Sequence, residues 1–304
     1  MISAAQKSEL KRCLSRFFLE DEPLAPKTTF KTGGRASVFL QPETLTDLRQ
    51  TVKILTELEI EFLLLGGGSN LLIADAGIQD RVVISLTRGF KSYTIVGSDK
   101  DAVMIRVEGG VQLAELVRLS AISGYGGLEN LAGIPGTLGG ALAMNAGAFG
   151  STIYDNLAAM LLIHNGSLDW RSKAELNPGY RDGGLAAQDI VIAAYFLLPR
   201  QTPSIIAEKV TEIRRRRRQR LPAGAHAGSV FKNPVGDFAG RLLEEAGCKG
   251  LVCGGARVAD EHANVIIAGR GATTRDVMSL MEKMQDRVLE HCGISLEPEI
   301  KVIS

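Results

Sequence analysis

Apolar residues recur at helical spacing in several stretches, each bounded by a start or stop signal. Leu45, Leu48, Val52 and Leu55 share one face of a helix predicted over residues 44–58. Residues 113–123 predict another, closed by Gly124. Thr273-Thr274-Arg275-Asp276 opens a long helix in capping-box style, running to about residue 291 and stopped by Gly293. Further helices are expected over residues 4–18, 204–218 and 238–246. Short apolar runs predict strands over residues 61–65, 71–73, 81–86, 104–108, 157–164, 168–171, 189–198 and 265–268. Asn165-Gly166 reads as a hairpin turn, and residues 294–303 read as an extended tail. Helices and strands interleave without an internal repeat, which is the pattern of an α+β protein. Pro203 marks a boundary after which a last domain opens.

Composition narrows the picture little. The 304 residues are 45% hydrophobic and 23% charged, with a net charge of +1, so nothing global calls for nucleic acid or a membrane. Cys13, Cys248, Cys253 and Cys292 form no paired spacing, so a metal role is not expected and reduced cytosolic thiols are. The N-terminus has no signal-peptide core. Residues 131–154 carry no charge, but Pro135 and the glycines at 133, 136, 139, 140, 147 and 150 break any spanning helix. A buried loop around a ligand fits better.

Two charge-free glycine loops carry the first chemical hint. In Leu65-Gly66-Gly67-Gly68-Ser69-Asn70 the glycines follow a strand, but Leu71 stands where a Rossmann fingerprint has its last glycine, and no Gly-Lys-Ser/Thr is present. Such a run leaves backbone N–H groups free of Cβ obstruction, enough to grip a pyrophosphate. A second loop follows at Gly133-Ile134-Pro135-Gly136-Thr137-Leu138-Gly139-Gly140, and Asn145 and Gly147 extend its lining. Two separated loops without basic residues fit a dinucleotide held mainly by backbone donors. Downstream lie Tyr180-Arg181, the stretch Gly228-Ser229-Val230-Phe231-Lys232-Asn233-Pro234, and Glu299 near the end. Arg214 to Arg218 and Arg220 sit on a predicted helix, pointing in all directions rather than in one stripe, with no aromatic platform.

With Lys31-Thr32-Gly33-Gly34, Met144-Asn145-Ala146-Gly147-Ala148-Phe149-Gly150, Gly254-Gly255-Ala256, His262-Ala263-Asn264 and Leu296-Glu297-Pro298-Glu299-Ile300, these motifs make nine in order. In that order the chain resembles the UDP-N-acetylenolpyruvoylglucosamine reductases of bacterial peptidoglycan synthesis, from about residue 24 to residue 303. The hairpin and the next strand are joined without a long tyrosine-bearing insertion, so the resemblance is to the type II enzymes.

The resemblance implies an FAD-binding region of the PCMH or vanillyl-alcohol-oxidase type, itself two subdomains, over residues 1–200. It implies a smaller C-terminal α+β substrate-binding domain over 201–297, and a tail, 298–304, returning to an active site where the two meet. NADPH would reduce FAD, which would reduce an enolpyruvyl UDP-sugar. Ser229 would be the proton donor, with Arg181 and Glu299 as the other catalytic residues. Gly66, Gly67, Gly68, Ser69, Asn70, Gly133, Ile134, Pro135, Gly136, Thr137, Gly139, Gly140, Asn145 and Gly147 would hold the cofactor. Tyr180, Lys232 and Asn233 would bind the substrate or its diphosphate, His262 would serve packing or capping, and contact of Lys249 with the diphosphate is the lesser of its readings. A cytoplasmic bacterial monomer is expected, with no nucleic-acid or membrane partner. The chain departs from the family pattern at Gly183, where serine is usual, and at Ala268 and Ser304. Gly183 is expected to loosen the loop that aims Arg181. An oxidase on the same flavin fold, or a non-catalytic nucleotide-sugar-binding descendant, is the rival reading.

Overall fold

The computed structural model describes residues 1–304 as two compact units. The first comprises residues 1–20, 38–67 and 80–216, and the second comprises 21–37, 68–79 and 217–304. The last of the chain's crossings from one to the other falls within the Pro203–Arg220 helix.

The first unit is built on a five-stranded antiparallel sheet in the order Ser167–Ser172, Leu157–His164, Ile190–Pro199, Ala102–Glu108, Tyr93–Ser98. Asn165 (φ 48°) and Gly166 (φ 78°) are both left-handed, as a two-residue hairpin turn requires. The central strand shows why it is central. Residues 190–194 are buried without alternation, because both faces are covered there. From Tyr195 onward burial alternates, and Leu197 is exposed. On one face Val103, Ile105 and Val107 pack with Leu113, Leu116 and Val117 of the Leu113–Ser123 helix. On the other, Ile190 and Ile192 pack with Leu48, Val52 and Leu55 of the Leu45–Glu57 helix. A second, parallel pairing joins Phe39–Leu40 and Phe62–Leu64 to Val82–Ile84.

In the second unit Val252–Cys253, Ala256–Val258 and Ile266–Ala268 form a small antiparallel sheet. The Thr274–Cys292 helix puts Val277, Leu280, Met281, Met284 and Val288 into a core shared with Phe30, Leu72 and Phe231. The C-terminal strand Lys301–Ile303 runs parallel to Leu71–Ile73.

Several elements lie outside the sequence expectation, the short strands Phe18–Pro23, Val252–Cys253 and Ala256–Val258 among them. Arg35–Leu40 is a strand whose apolar run was hidden behind Gly33-Gly34. Tyr93–Ser98 is an edge strand exposed along its whole length, so it shows no buried alternation to read. The second glycine loop is not loop throughout: Leu138–Ala143 is helical, with the Thr137 side chain accepting from Gly140 N–H at its start. No helix is long and apolar enough to cross a membrane.

The capping box of the long helix is present: Thr273 Oγ1 accepts from Asp276 N–H, and the Asp276 carboxylate accepts from Thr273 N–H. Replacing Thr273 with Ala removes one of the two and should lower unfolding stability by about 1 kcal/mol. A urea midpoint unchanged from wild type would show that the cap contributes nothing.

Candidate active site

The two glycine loops meet in the first unit. Leu65 N–H donates to Ile84 O at 2.8 Å, and the chain leaves the sheet at Gly66. A Cβ on Gly66 would lie 2.5 Å from Thr137 Oγ1, and one on Gly67 would lie 2.6 Å from Gly136 Cα. Only glycine permits that approach of backbone to backbone. The second loop is anchored from below by Leu113 N–H to Gly136 O (3.0 Å), Leu138 N–H to Val111 O (2.8 Å) and Gly139 N–H to Gly109 O (2.8 Å). Gly133, Pro135 and Gly140 stay exposed and Ile134 half-buried. The remainder of the first loop belongs to the second unit. There a Cβ on Gly68 would collide with Lys27 O, Ser69 is half-buried, and Asn70 donates its side-chain amide to Glu299 O at 3.1 Å.

Asn145 and Gly147 continue this lining and carry the turn that holds Arg181. Asn145 sits at φ 41°, and its Nδ2 donates to Gly179 O at 2.9 Å. Its buried Oδ1 has no partner. A buried orphan acceptor is costly unless a ligand donor completes it. The fit to a dinucleotide cofactor therefore rests on two observations, an unobstructed backbone cradle and an acceptor beside it. Gly179 and Asp182 pair with each other, and Gly184 N–H donates to Asp182 Oδ1 at 2.9 Å. Arg181 is half-buried at φ 58°, with Nη1 donating to Gly147 O at 3.4 Å and its guanidinium 5.4 Å from the centre of the Tyr180 ring. Tyr180 itself is exposed.

Gly183 does the opposite of what its departure suggested. A Cβ there would collide with Leu142 O, its N–H donates to Ala143 O at 3.0 Å, and its carbonyl accepts from Tyr154 OH at 2.8 Å. The position is tight because the backbone leaves no room for a side chain.

In the second unit the Ser229 segment lies between two others. Ser229 bridges Val265, and Phe231 bridges Pro298. Val230 N–H donates to Asn264 O (2.9 Å), while Asn264 takes Phe231 N–H on Oδ1 (2.9 Å) and gives Nδ2–H to Phe231 O (2.8 Å). On the other edge Glu299 N–H donates to Val230 O and Lys232 N–H to Glu297 O, both at 2.8 Å. Val230 and Phe231 are fully buried, whereas Ser229 and Glu299 are half-buried. Ser229 and Glu299 are thus brought together, about 70 residues apart in sequence, by one strip of backbone. Lys232 Nζ pairs with Glu297 at 2.6 Å, and Asn233 Oδ1 accepts from Ala239 N–H at 3.1 Å.

A cleft of about 310 Å³ opens beside this strip, lined by Ser229, Asn233, Phe238, Arg241, His262 and Asn264 among others. Its lining guanidinium is compensated, because Arg241 pairs with Asp237 and Glu245. Lys249, outside that lining, pairs with the lining Glu244 at 2.6 Å. His262 Nδ1 accepts from Asn264 N–H at 3.1 Å, a capping contact. His226, which sequence reasoning passed over, accepts Gly228 N–H on Nδ1 at 3.0 Å and so shapes the approach to Ser229. Burial, more than neighbouring positive charge, holds both imidazoles below their ordinary pKa. The role of Asn264 was also missed, although it stands in a motif the sequence displays.

Comparison with known proteins gives the same two-part division of chemistry. Residues 36–166 match the model of an FAD binding domain, and residues 219–303 match the model of the UDP-N-acetylenolpyruvoylglucosamine reductase C-terminal domain. The chain is 38% identical to the UDP-N-acetylenolpyruvoylglucosamine reductase of Geobacter metallireducens, over 94% of this chain and 93% of that one. It is 36% identical to the enzyme of the same name from Desulforamulus reducens, over 100% and 99%. Among solved structures it is similar to UDP-N-acetylenolpyruvylglucosamine reductase (MurB) from Thermus caldophilus, with a TM-score of 0.82 at 34% identity, covering 95% of this chain and 100% of that one. Fold and cradle together define an FAD-dependent oxidoreductase of the PCMH-type fold with an added C-terminal domain. Within that class, the chain belongs to the UDP-N-acetylenolpyruvoylglucosamine reductase family.

Replacing Gly67 with Ala should force Gly136 away and weaken FAD retention at least about tenfold in dissociation constant, a loss of about 1.4 kcal/mol. Full flavin content in that variant would remove the two-loop cradle from the account. The histidines carry a pH consequence. Their folded pKa lies below the ordinary value of 6.5, so below that pH the unfolded chain binds more protons than the folded one. Stability should therefore fall as pH drops through about 6.5, and fall less in the His226→Gln, His262→Gln double variant. Urea midpoints at about pH 8 and about pH 5.5 measure this, and an equal fall in both proteins would contradict it.

Proposed function

We propose that this chain carries out the reaction of its family through Arg181, Ser229 and Glu299: NADPH-dependent reduction of an enolpyruvyl UDP-N-acetylglucosamine to UDP-N-acetylmuramate, for peptidoglycan synthesis. The observation that supports this most is the backbone strip placing Ser229 and Glu299 on either side of Val230. Bound FAD supplies the hydride chemistry, linking NADPH to one alkene carbon of the substrate. The glycine loops at residues 66–67 and 133–140, with Gly147 and the side-chain oxygen of Asn145, would hold that cofactor.

As hydride reaches the alkene, negative charge gathers on the neighbouring carbon and its carboxylate. The Arg181 guanidinium clamps that carboxylate with a planar pair of donors. It lies in a turn already fixed on residues 143–147, so little reorganisation accompanies the charge. Ser229 gives its hydroxyl proton to the carbon next to the carboxylate. A serine is a weak acid, but a carbanion-like acceptor is a strong base, and the transfer is downhill. Glu299, protonated or sharing a proton, stabilises the enol-like form of the substrate. Tyr180 and Asn233 border the substrate, and Lys232 exchanges Glu297 for the diphosphate.

The close succession of the Leu157–His164, Ser167–Ser172 and Ile190–Pro199 strands supports the type II subgroup. NADPH and a UDP-sugar are cytoplasmic reactants, which supports the bacterial cytoplasm as its place.

Ser229→Ala should retain FAD and its bleaching by NADPH, while recovery of the flavin band on adding substrate slows by roughly 10²–10⁴. Equal slowing of both half-reactions would remove Ser229 from the role of proton donor.

A further inference from the structure

We propose that Tyr154 is a positioning residue for Arg181, holding from behind the turn that aims the guanidinium; this rests on the reading of Arg181 as the clamp on the substrate carboxylate. Tyr154 is 3% exposed, and its hydroxyl donates to Gly183 O at 2.8 Å. Burial, and next the charge of Asp182, push its pKa up to about 12, so the phenol stays a donor at any working pH.

The turn needs such support. Arg181 sits at φ 58°, a conformation that a residue with a Cβ adopts only when its surroundings impose it. Two side chains take hold of the turn's carbonyls, one at each end: Asn145 on Gly179 O and Tyr154 on Gly183 O. Gly183 offers no side chain to make a hold of its own, and the collision of a Cβ with Leu142 O shows that none fits. Tyr154 is itself tied to the cofactor-side segment, since the adjacent Ile153 N–H donates to Ala146 O at 2.9 Å. Arg181 is thereby referenced to the same stretch that continues the second glycine loop. Without the phenol, the buried Gly183 carbonyl keeps only what relaxation of the turn provides, and the guanidinium drifts.

The test uses the FAD-loaded enzyme as Tyr154→Phe, as Arg181→Ala and as both together. Four quantities are read: flavin content, bleaching by NADPH, reoxidation by the enolpyruvyl UDP-sugar, and the substrate dissociation constant from the oxidised flavin's difference spectrum. Tyr154→Phe should keep full flavin and bleach within about twofold of wild type, but reoxidise about tenfold or more slowly and bind substrate more weakly. The double variant should be no slower than Arg181→Ala alone, because both changes remove one function. Losses that multiply in the double variant, or a Tyr154→Phe enzyme that reoxidises normally while Arg181→Ala is slow, overturn the positioning role and leave the Arg181 reading intact. Normal reoxidation in Arg181→Ala overturns both. If Tyr154→Phe fails to hold flavin, Gly183→Ala displaces the same carbonyl through its collision with Leu142 O and should show the same split. Normal reoxidation in that variant overturns the proposal.

Discussion

One side chain, Asn264, satisfies both backbone groups of Phe231, and the arrangement of the second unit's chemistry depends on it. Phe231 is fully buried, so its N–H and C=O need partners inside the protein. A regular strand neighbour would supply them only with a longer sheet. Asn264 supplies them from a single residue, itself buried, and its own carbonyl takes the N–H of Val230. That leaves the opposite edge of the segment free for residues 297–299. The tail enters that edge, and Glu299 arrives beside Val230 with Ser229 one residue away. A short irregular ladder of this kind positions side chains by backbone hydrogen bonds, the least adaptable contacts available.

The first unit solves a different problem by the same means. Its loops must present backbone donors without side chains in the way, and they do so by close approach of glycine to glycine at residues 67 and 136. The left-handed residues Asn145 and Arg181 follow from that economy. Each is a non-glycine residue placed where the chain must turn sharply, and each carries a side chain the site needs. Strain at such positions persists because neighbouring hydrogen bonds outweigh it.

Much of this was legible in the sequence, for identifiable reasons. Helices with a single buried face, such as Leu45–Glu57, and helices with capping boxes, such as Thr274–Cys292, show their periods and their ends directly. The hairpin at Asn165-Gly166 is legible because that pair suits left-handed angles. The glycine loops were legible as cradles, but their mutual contact was not, because no local pattern records which backbone meets which. Gly183 was misread for the same reason: flexibility is a property of glycine alone in the unfolded chain, whereas tightness is a property of Leu142 and Ala143 around it. Tyr154 lies in no motif, and its hold on Gly183 spans 29 residues. Lys232 read as a substrate contact, and its pairing with Glu297 is a tertiary fact.

One chain accepts reducing equivalents from NADPH and delivers them to an enolpyruvyl UDP-sugar. Anaerobic sequential-mixing absorbance of the purified wild-type protein tests it most directly. NADPH should bleach the flavin band, and the enolpyruvyl UDP-sugar, added second, should restore it with formation of UDP-N-acetylmuramate. Bleaching without recovery on that substrate would contradict the claim, whatever the fold.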